Sequence, residues 1–213
     1  PGTYQLSYDA TDAAGNSAIR IFRSVTVHDT TEPSLFLQGP AHVTLEALSV
    51  FNDPGALWFD GLGGFGSVES NSTLDLTTPG TYILLYTAMD EAGNVADEVS
   101  RTVVVIDTTP PILHFLGTET VVHEGGFPYV DPGVLRTDGV DGNATIMGVG
   151  EVNHMVVGTY SLVYSYTDTS GNEAVSLTRI VQVVDTIPPV IDLVGDANIT
   201  LEGAVPYLDP GAT

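Results

Sequence analysis

The side chains best equipped for chemistry in this 213-residue chain are hard oxygen donors, and they recur at a fixed interval. Asp29, Asp107 and Asp185 stand 78 residues apart, as do Asp90 and Asp168, Asn94 and Asn172, and Glu46, Glu124 and Glu202. Carboxylates with an amide among them are the donor set of calcium, which takes about six to eight oxygens. Cysteine is absent, so thiolate metal sites and disulfides are excluded, and any stiffening must come from packing or from oxygen-bound ions. The same residues have a plainer reading in which Asp and Asn satisfy their own turns, the linker Asp ends a strand and the Glu is simply exposed. The sequence leaves both readings open, with Ca2+ as the one cofactor it brings forward.

Other chemistry finds little support. His123-Glu124-Gly125-Gly126 lacks the second histidine of a zinc-protease helix, and Gly61-Leu62-Gly63-Gly64-Phe65-Gly66 is followed by neither the lysine nor the helix of a phosphate loop. No Ser-His-Asp or paired-carboxylate arrangement recurs, so no catalytic residue and no enzyme is expected. Asn71, Asn143 and Asn198 begin Asn-x-Ser/Thr triplets open to glycosylation where the source has that machinery, although eight asparagines in such a chain produce about one or two triplets by chance.

Twenty-seven acidic and five basic residues leave a formal charge of −22. Nucleic acid and anionic membranes are therefore poor partners, and the surface repels itself unless salt or cations screen it, which favours an extracellular, saline or calcium-rich medium. No apolar run approaches the roughly 18 residues of a membrane span, and the chain opens in mid-pattern, so an export signal or anchor is expected outside this window.

These donors are positioned by a repeat. Asp29-Thr30-Thr31-Glu32-Pro33, Asp107-Thr108-Thr109-Pro110-Pro111 and Asp185-Thr186-Ile187-Pro188-Pro189 share the 78-residue spacing with Gly2-Thr3-Tyr4, Gly80-Thr81-Tyr82 and Gly158-Thr159-Tyr160, and with Asp53-Pro54-Gly55, Asp131-Pro132-Gly133 and Asp209-Pro210-Gly211. Boundaries at the proline-rich linkers divide the chain into the tail of one repeat (1–30), complete repeats at 31–108 and 109–186, and the head of another (187–213).

Within a repeat the pattern is that of β-strands. Tyr4, Leu6 and Tyr8 alternate with Thr3, Gln5 and Ser7, and Tyr160, Leu162, Tyr164 and Tyr166 restate that face, which is the signature of a half-buried strand. In the copy at Tyr82, Leu84 and Tyr86 the outer residues Ile83 and Leu85 are apolar, marking a possible contact surface. Each strand runs into Asp-x-x-Gly-Asn and then a β-branched run, so a hairpin is predicted, with Gly-Asn in left-handed turn positions. Arg23, Arg101 and Arg179 share the phase of Val25, Val103 and Val181. They either lean inward toward Asp53 or Asp131 or stand solvated on an edge strand. The fold class is all-β: tandem immunoglobulin-like β-sandwiches of about seven short strands per repeat.

In that topology the last hairpin loop lies beside the linker entering its own domain, which brings Asp90 and Asn94 toward Asp29 and Asp168 and Asn172 toward Asp107. A turn at the opposite end aims Glu46 at the Asp107 linker and Glu124 at the Asp185 linker. Residues 60–66 depart from the acidic Asp138-Gly139-Val140-Asp141-Gly142 loop of the next copy.

The ordered set Asp-Thr-Thr-Pro-Pro, Asp-Pro-Gly, Asp-Gly, Gly-Thr-Tyr-x-Leu-x-Tyr and Asp-x-x-Gly-Asn resembles the bacterial surface Ig-like repeat family and, more distantly, the hyalin repeat. The resemblance spans the whole chain and implies modules of large secreted or surface-attached proteins that serve as spacers, stalks or adhesive arrays. The expected function is a spacer or stalk at the cell surface, stiffened by calcium between domains. Its partners would be neighbouring repeats, identical chains in a fibre or surface layer, or a glycan or protein ligand; an accessory binding module of a secreted enzyme is the alternative.

Overall fold

Strict alternation of apolar and polar residues leaves each segment one face to bury, and the computed structural model, which describes residues 1–62 and 64–213, meets that need with strands. Gly63, part of the glycine turn predicted at 61–66, lies outside the described residues. Among the described residues every named element is a strand, fourteen in all. Two compact units emerge: residues 1–111 with 137–142 and 167–173, and residues 112–136 with 143–166 and 174–213.

In the first unit, β3 (Ser34–Leu37), β5 (Ala56–Asp60) and β6 (Gly64–Val68) form an antiparallel sheet in the order β3-β5-β6. A second sheet has the order β4-β8-β7, from β4 (His42–Glu46), β7 (Gly80–Tyr86) and β8 (Val99–Ile106). Here β7 and β8 are antiparallel while β4 lies parallel to β8, from His42 opposite Thr102 to Glu46 opposite Ile106. The second unit repeats the plan. β9 (Ile112–Phe115), β11 (Val134–Thr137) and β12 (Ala144–Ile146) form one sheet, and β10 (Thr120–Glu124), β13 (Gly158–Tyr164) and β14 (Leu177–Val184) the other, with β10 again parallel to its neighbour. The leading segment contributes a lone hairpin, β1 (Gly2–Tyr8) with β2 (Ile21–Val27), whose residues are all exposed.

Among the described residues each complete repeat thus carries six strands rather than the about seven predicted. Residues 69–79 follow their own side chains instead of a ladder: Asp75 accepts bonds from the Thr77 amide at 2.8 Å and hydroxyl at 2.6 Å and from the Thr78 hydroxyl at 2.8 Å.

Leu84, Tyr86, Val103 and Val105 are buried in the first core, and Leu162, Tyr164, Val181 and Val183 at the corresponding positions of the second. Each such aliphatic side chain contributes roughly 1.5–3 kcal/mol by leaving water. The arginines lean inward. Arg101 and Arg179 are both 0% exposed on central strands, so the edge-strand alternative does not describe them. Arg179 forms an ion pair with Asp131 and donates to the carbonyls of Thr118 (3.0 Å), Leu116 (2.7 Å) and Gly133 (3.2 Å) and to the Tyr164 hydroxyl (3.0 Å). Arg101 does the same with Asp53, the Pro40 and Gln38 carbonyls and the Tyr86 hydroxyl. A buried guanidinium is tolerable because its donors are met this fully. Arg23, on the isolated hairpin, stays exposed above the Tyr8 ring.

Candidate metal centre

The loop joining β7 to β8 is shaped by one glycine and two polar side chains. Gly93 takes φ +94° and Gly171, its counterpart, φ +95°. Asn94 and Asn172 do not share the left-handed conformation predicted for them; their side chains serve the loop instead. The Asn94 amide and side chain donate to the two oxygens of Asp90, each at 2.8 Å, and Asn172 serves Asp168 in the same way at 2.7 and 2.8 Å. The Asn94 side chain holds the Asp90 carboxyl below the usual carboxylate range. At Asp168 burial pushes the carboxyl upward, and the bonds from Asn172 outweigh it, leaving it lowered as well.

The same asparagines reach the linker. Asn94 Nδ2 donates to the Asp29 carbonyl at 3.4 Å and Asn172 Nδ2 to the Asp107 carbonyl at 3.1 Å, so each set comes together as the topology requires. Asp29 and Asp107 each turn one oxygen back to the amide two residues on, Thr31 and Thr109, both at 3.1 Å. Asp185 repeats that turn with Ile187 at 3.3 Å.

A residue outside the predicted set completes the first cluster. Asp60, at the end of β5 and 3% exposed, lies with Asp29 and Asp90 such that one carboxylate oxygen of each falls within 4.8 Å of the other two. Its counterpart in the repeat is Asp138. In the sequence the pair shares only the 78-residue interval and a following glycine, which any turn can show, while the rest of the two loops differs.

Glu46 and Glu124 do meet the outgoing linkers, and linker donors occupy them. Glu46 accepts from the Thr108 amide (2.8 Å), the Thr108 hydroxyl (2.9 Å) and the Thr109 hydroxyl (3.1 Å). Glu124 accepts from the Thr186 amide (2.8 Å) and hydroxyl (2.7 Å). The linker amide of Thr108 or Thr186 is the main reason each carboxyl lies below its ordinary value. These residues fasten the linker to the repeat it leaves. Glu124 and Asp185 also line one surface depression with Gly125 and Gly126.

Of the remaining sequence candidates, Asn71, Asn143 and Asn198 are all exposed. His123 is structural: its Nε2 meets the Phe127 carbonyl at 2.7 Å and its ring stands edge-on to Tyr129. Ile83 is 56% exposed and Leu85 half-buried. Sequence reasoning missed the broader apolar surface on the other sheet, where Phe36, Leu57, Phe59 and Phe65 all face outward.

Hyalin of the sea urchin Lytechinus variegatus is 30% identical over 92% of this chain and 40% of its own length; hyalin of Strongylocentrotus purpuratus is 28% identical over 94% of this chain and 18% of its own. The chain thus spans less than half the length of either. A solved lipoprotein of Bacteroides thetaiotaomicron is 29% identical, covering 37% of this chain and 40% of that one, with a TM-score of 0.32. A model of the bacterial surface protein Ig-like domain matches residues 35–105 and again 113–183. With two tandem matches laid over the paired sheets just described, the chain belongs to the bacterial surface Ig-like domain family.

Proposed function

We propose that this chain is a non-catalytic spacer or stalk segment of a large extracellular surface protein, with calcium stiffening the joints between its repeats. The observation that carries the reading is the linker, which is fixed from two directions: Glu46 bonds Thr108 and Thr109, and Asn172 bonds the Asp107 carbonyl. A linker held this way sets distance and direction, whereas a free one would leave its domains independent. Family membership and the hyalin relatives support a surface or extracellular setting.

Small-angle scattering of the whole chain tests the stalk. A profile fitted by one rigid form, loosened by Glu46→Gln, supports it; a profile of freely jointed domains that Glu46→Gln leaves unchanged removes it.

A second reading, as a glycan- or protein-binding module, is favoured by the outward Phe36, Phe59 and Phe65, exposed by 62, 59 and 82%. The corresponding residues of the next copy are His114, Thr137 and Asn143, so this surface is peculiar to one repeat. Binding of the chain to a glycan array, lost on Phe65→Ser, would favour it over the stalk.

A further inference from the structure

Hydrogen bonds account for the linker's hold on the repeat it leaves, but on the side it enters the structure gathers negative charge. We propose that one calcium ion is bound in each complete repeat by three carboxylates, Asp29, Asp60 and Asp90 in the first and Asp107, Asp138 and Asp168 in the second. The proposal rests on the calcium-stiffened joint proposed above and assigns the residues that make it.

Two independent observations carry it. The first is spacing: one oxygen from each of Asp29, Asp60 and Asp90 lies within 4.8 Å of the others, and two oxygens on opposite sides of a calcium ion stand roughly 5 Å apart. The second is unmet bonding in the repeated copy. Asp107 is 8% exposed, and its Oδ2 is buried without a hydrogen-bond donor; Asp138 Oδ2 is in the same condition. A buried carboxylate oxygen without a donor is costly, and a cation is the partner that relieves it.

The two copies share their turns, while the three-oxygen spacing within 4.8 Å is met among the described residues by Asp29, Asp60 and Asp90 and not by Asp107, Asp138 and Asp168. In each, the linker Asp turns Oδ1 to the amide two residues on, and the Asp at the end of β5 or within the matching loop accepts amides of its own turn, from Leu62 to Asp60 and from Val140 and Asp141 to Asp138, at 2.7–2.8 Å. In each, the hairpin Asp is oriented by its Asn. All three acids of both copies belong to the first compact unit.

The proposal gives two residue types roles of their own. Asn94 and Asn172 direct their Nδ2 hydrogens at Asp90 and Asp168 and at the linker carbonyls, so in the proposed site they position the acids. Glu46 and Glu124 are engaged by threonines and stand outside the ion's shell. The linker is held by hydrogen bonds on both sides, and an ion at the acids adds a further tie on the side it enters. Each acid comes from a different stretch, the linker, the end of β5 or its equivalent, and the last hairpin loop, so an ion there ties three stretches at one point. The ligands are all hard oxygens, which suits calcium better than a thiophilic transition metal.

Trp58, the only tryptophan, lies two residues before Asp60 on β5 and lines a surface depression together with Asp90, so it can sensitise terbium placed in the first site. The test uses the chelator-stripped chain, titrated with terbium while emission excited through Trp58 is followed, and with calcium by calorimetry. Expected are one calcium per complete repeat and sensitised emission that calcium displaces far more readily than magnesium. Asp60→Asn should weaken the sensitised site at least about tenfold and leave the other unchanged, and Asp138→Asn should do the converse. Glu46→Gln should alter neither.

Calcium binding that both variants leave intact would overturn the assignment, as would the absence of displaceable sensitised emission from the wild-type chain, a result independent of how any variant folds. Scattering on the same samples separates the two proposals. Binding at these acids without a change of profile would uphold the site and end the stiffening role, and a rigid profile with no binding would end both the site and the calcium stiffening while leaving the spacer.

Discussion

At the scale of single residues, Arg179 and its partners show how one charge is made acceptable inside a small sandwich. Removing the guanidinium by Arg179→Met takes the counter-charge from Asp131 and a donor from each of three carbonyls, and should cost about 3–5 kcal/mol in urea denaturation. For Asp131 burial acts to raise the carboxyl, but bonds from Tyr164, Gly148 and Gly133 and the charge of Arg179 outweigh it and keep it lowered. Stability arising from a depressed carboxyl is complete above the unfolded value of about 4 and lost as pH falls through the folded one. The urea midpoint should therefore decline below about pH 4, and less steeply in Asp131→Asn. The arginine's inward direction and its acidic partner were legible from the alternation and the repeat. The tyrosine was not, because its hydroxyl meets Asp131 across 33 residues of chain with no local signal. Asp60 was equally hidden, since an acid beside a glycine describes any turn until the fold puts Asp29 and Asp90 next to it.

At the scale of elements, glycines at similar φ play unequal parts. Gly133 has φ +78°, and a Cβ there would lie 2.7 Å from the Ile146 carbonyl oxygen; Gly171 has φ +95° with nothing within 4 Å. Gly171→Ala should cost only the left-handed conformation, roughly 1–2 kcal/mol, whereas Gly133→Ala adds a clash with backbone that cannot move aside and should cost about 3 kcal/mol or more. Thermal melts of the two variants measure the difference. The β7–β8 and β13–β14 hairpins were legible because their partners are neighbours in sequence and their inner faces keep period two. The parallel pairing of β4 with β8 was not, since its residues lie 60 apart and no turn announces them. Alternation also could not reveal that residues 69–79 would satisfy their polar groups through Asp75 and stay out of the ladders.

At the scale of the whole molecule, a net charge of −22 on 213 residues sets the response to salt. Raising sodium chloride from about 10 mM to about 500 mM shortens the screening length from roughly 30 Å to about 4 Å, so the melting temperature should rise across that range even with chelator present. A melting curve indifferent to salt would show that the charges are already neutralised in place. The repeat made the modular plan legible, because markers 78 residues apart keep register from one copy to the next. It could not foretell that residues 137–142 would join the first compact unit, where Val140 packs on the core that includes Leu84 and Val103. That contact is singular, and a periodic signal carries no trace of it. The parallel pairs have a mechanical meaning. Opposed pulls on the two linkers of a repeat reach β4 from its beginning and β8 from its end, so the five residue pairs between them are sheared together instead of being peeled one after another. The same holds for the five pairs of β10 with β14. Under tension each sandwich should resist as a unit and then yield abruptly.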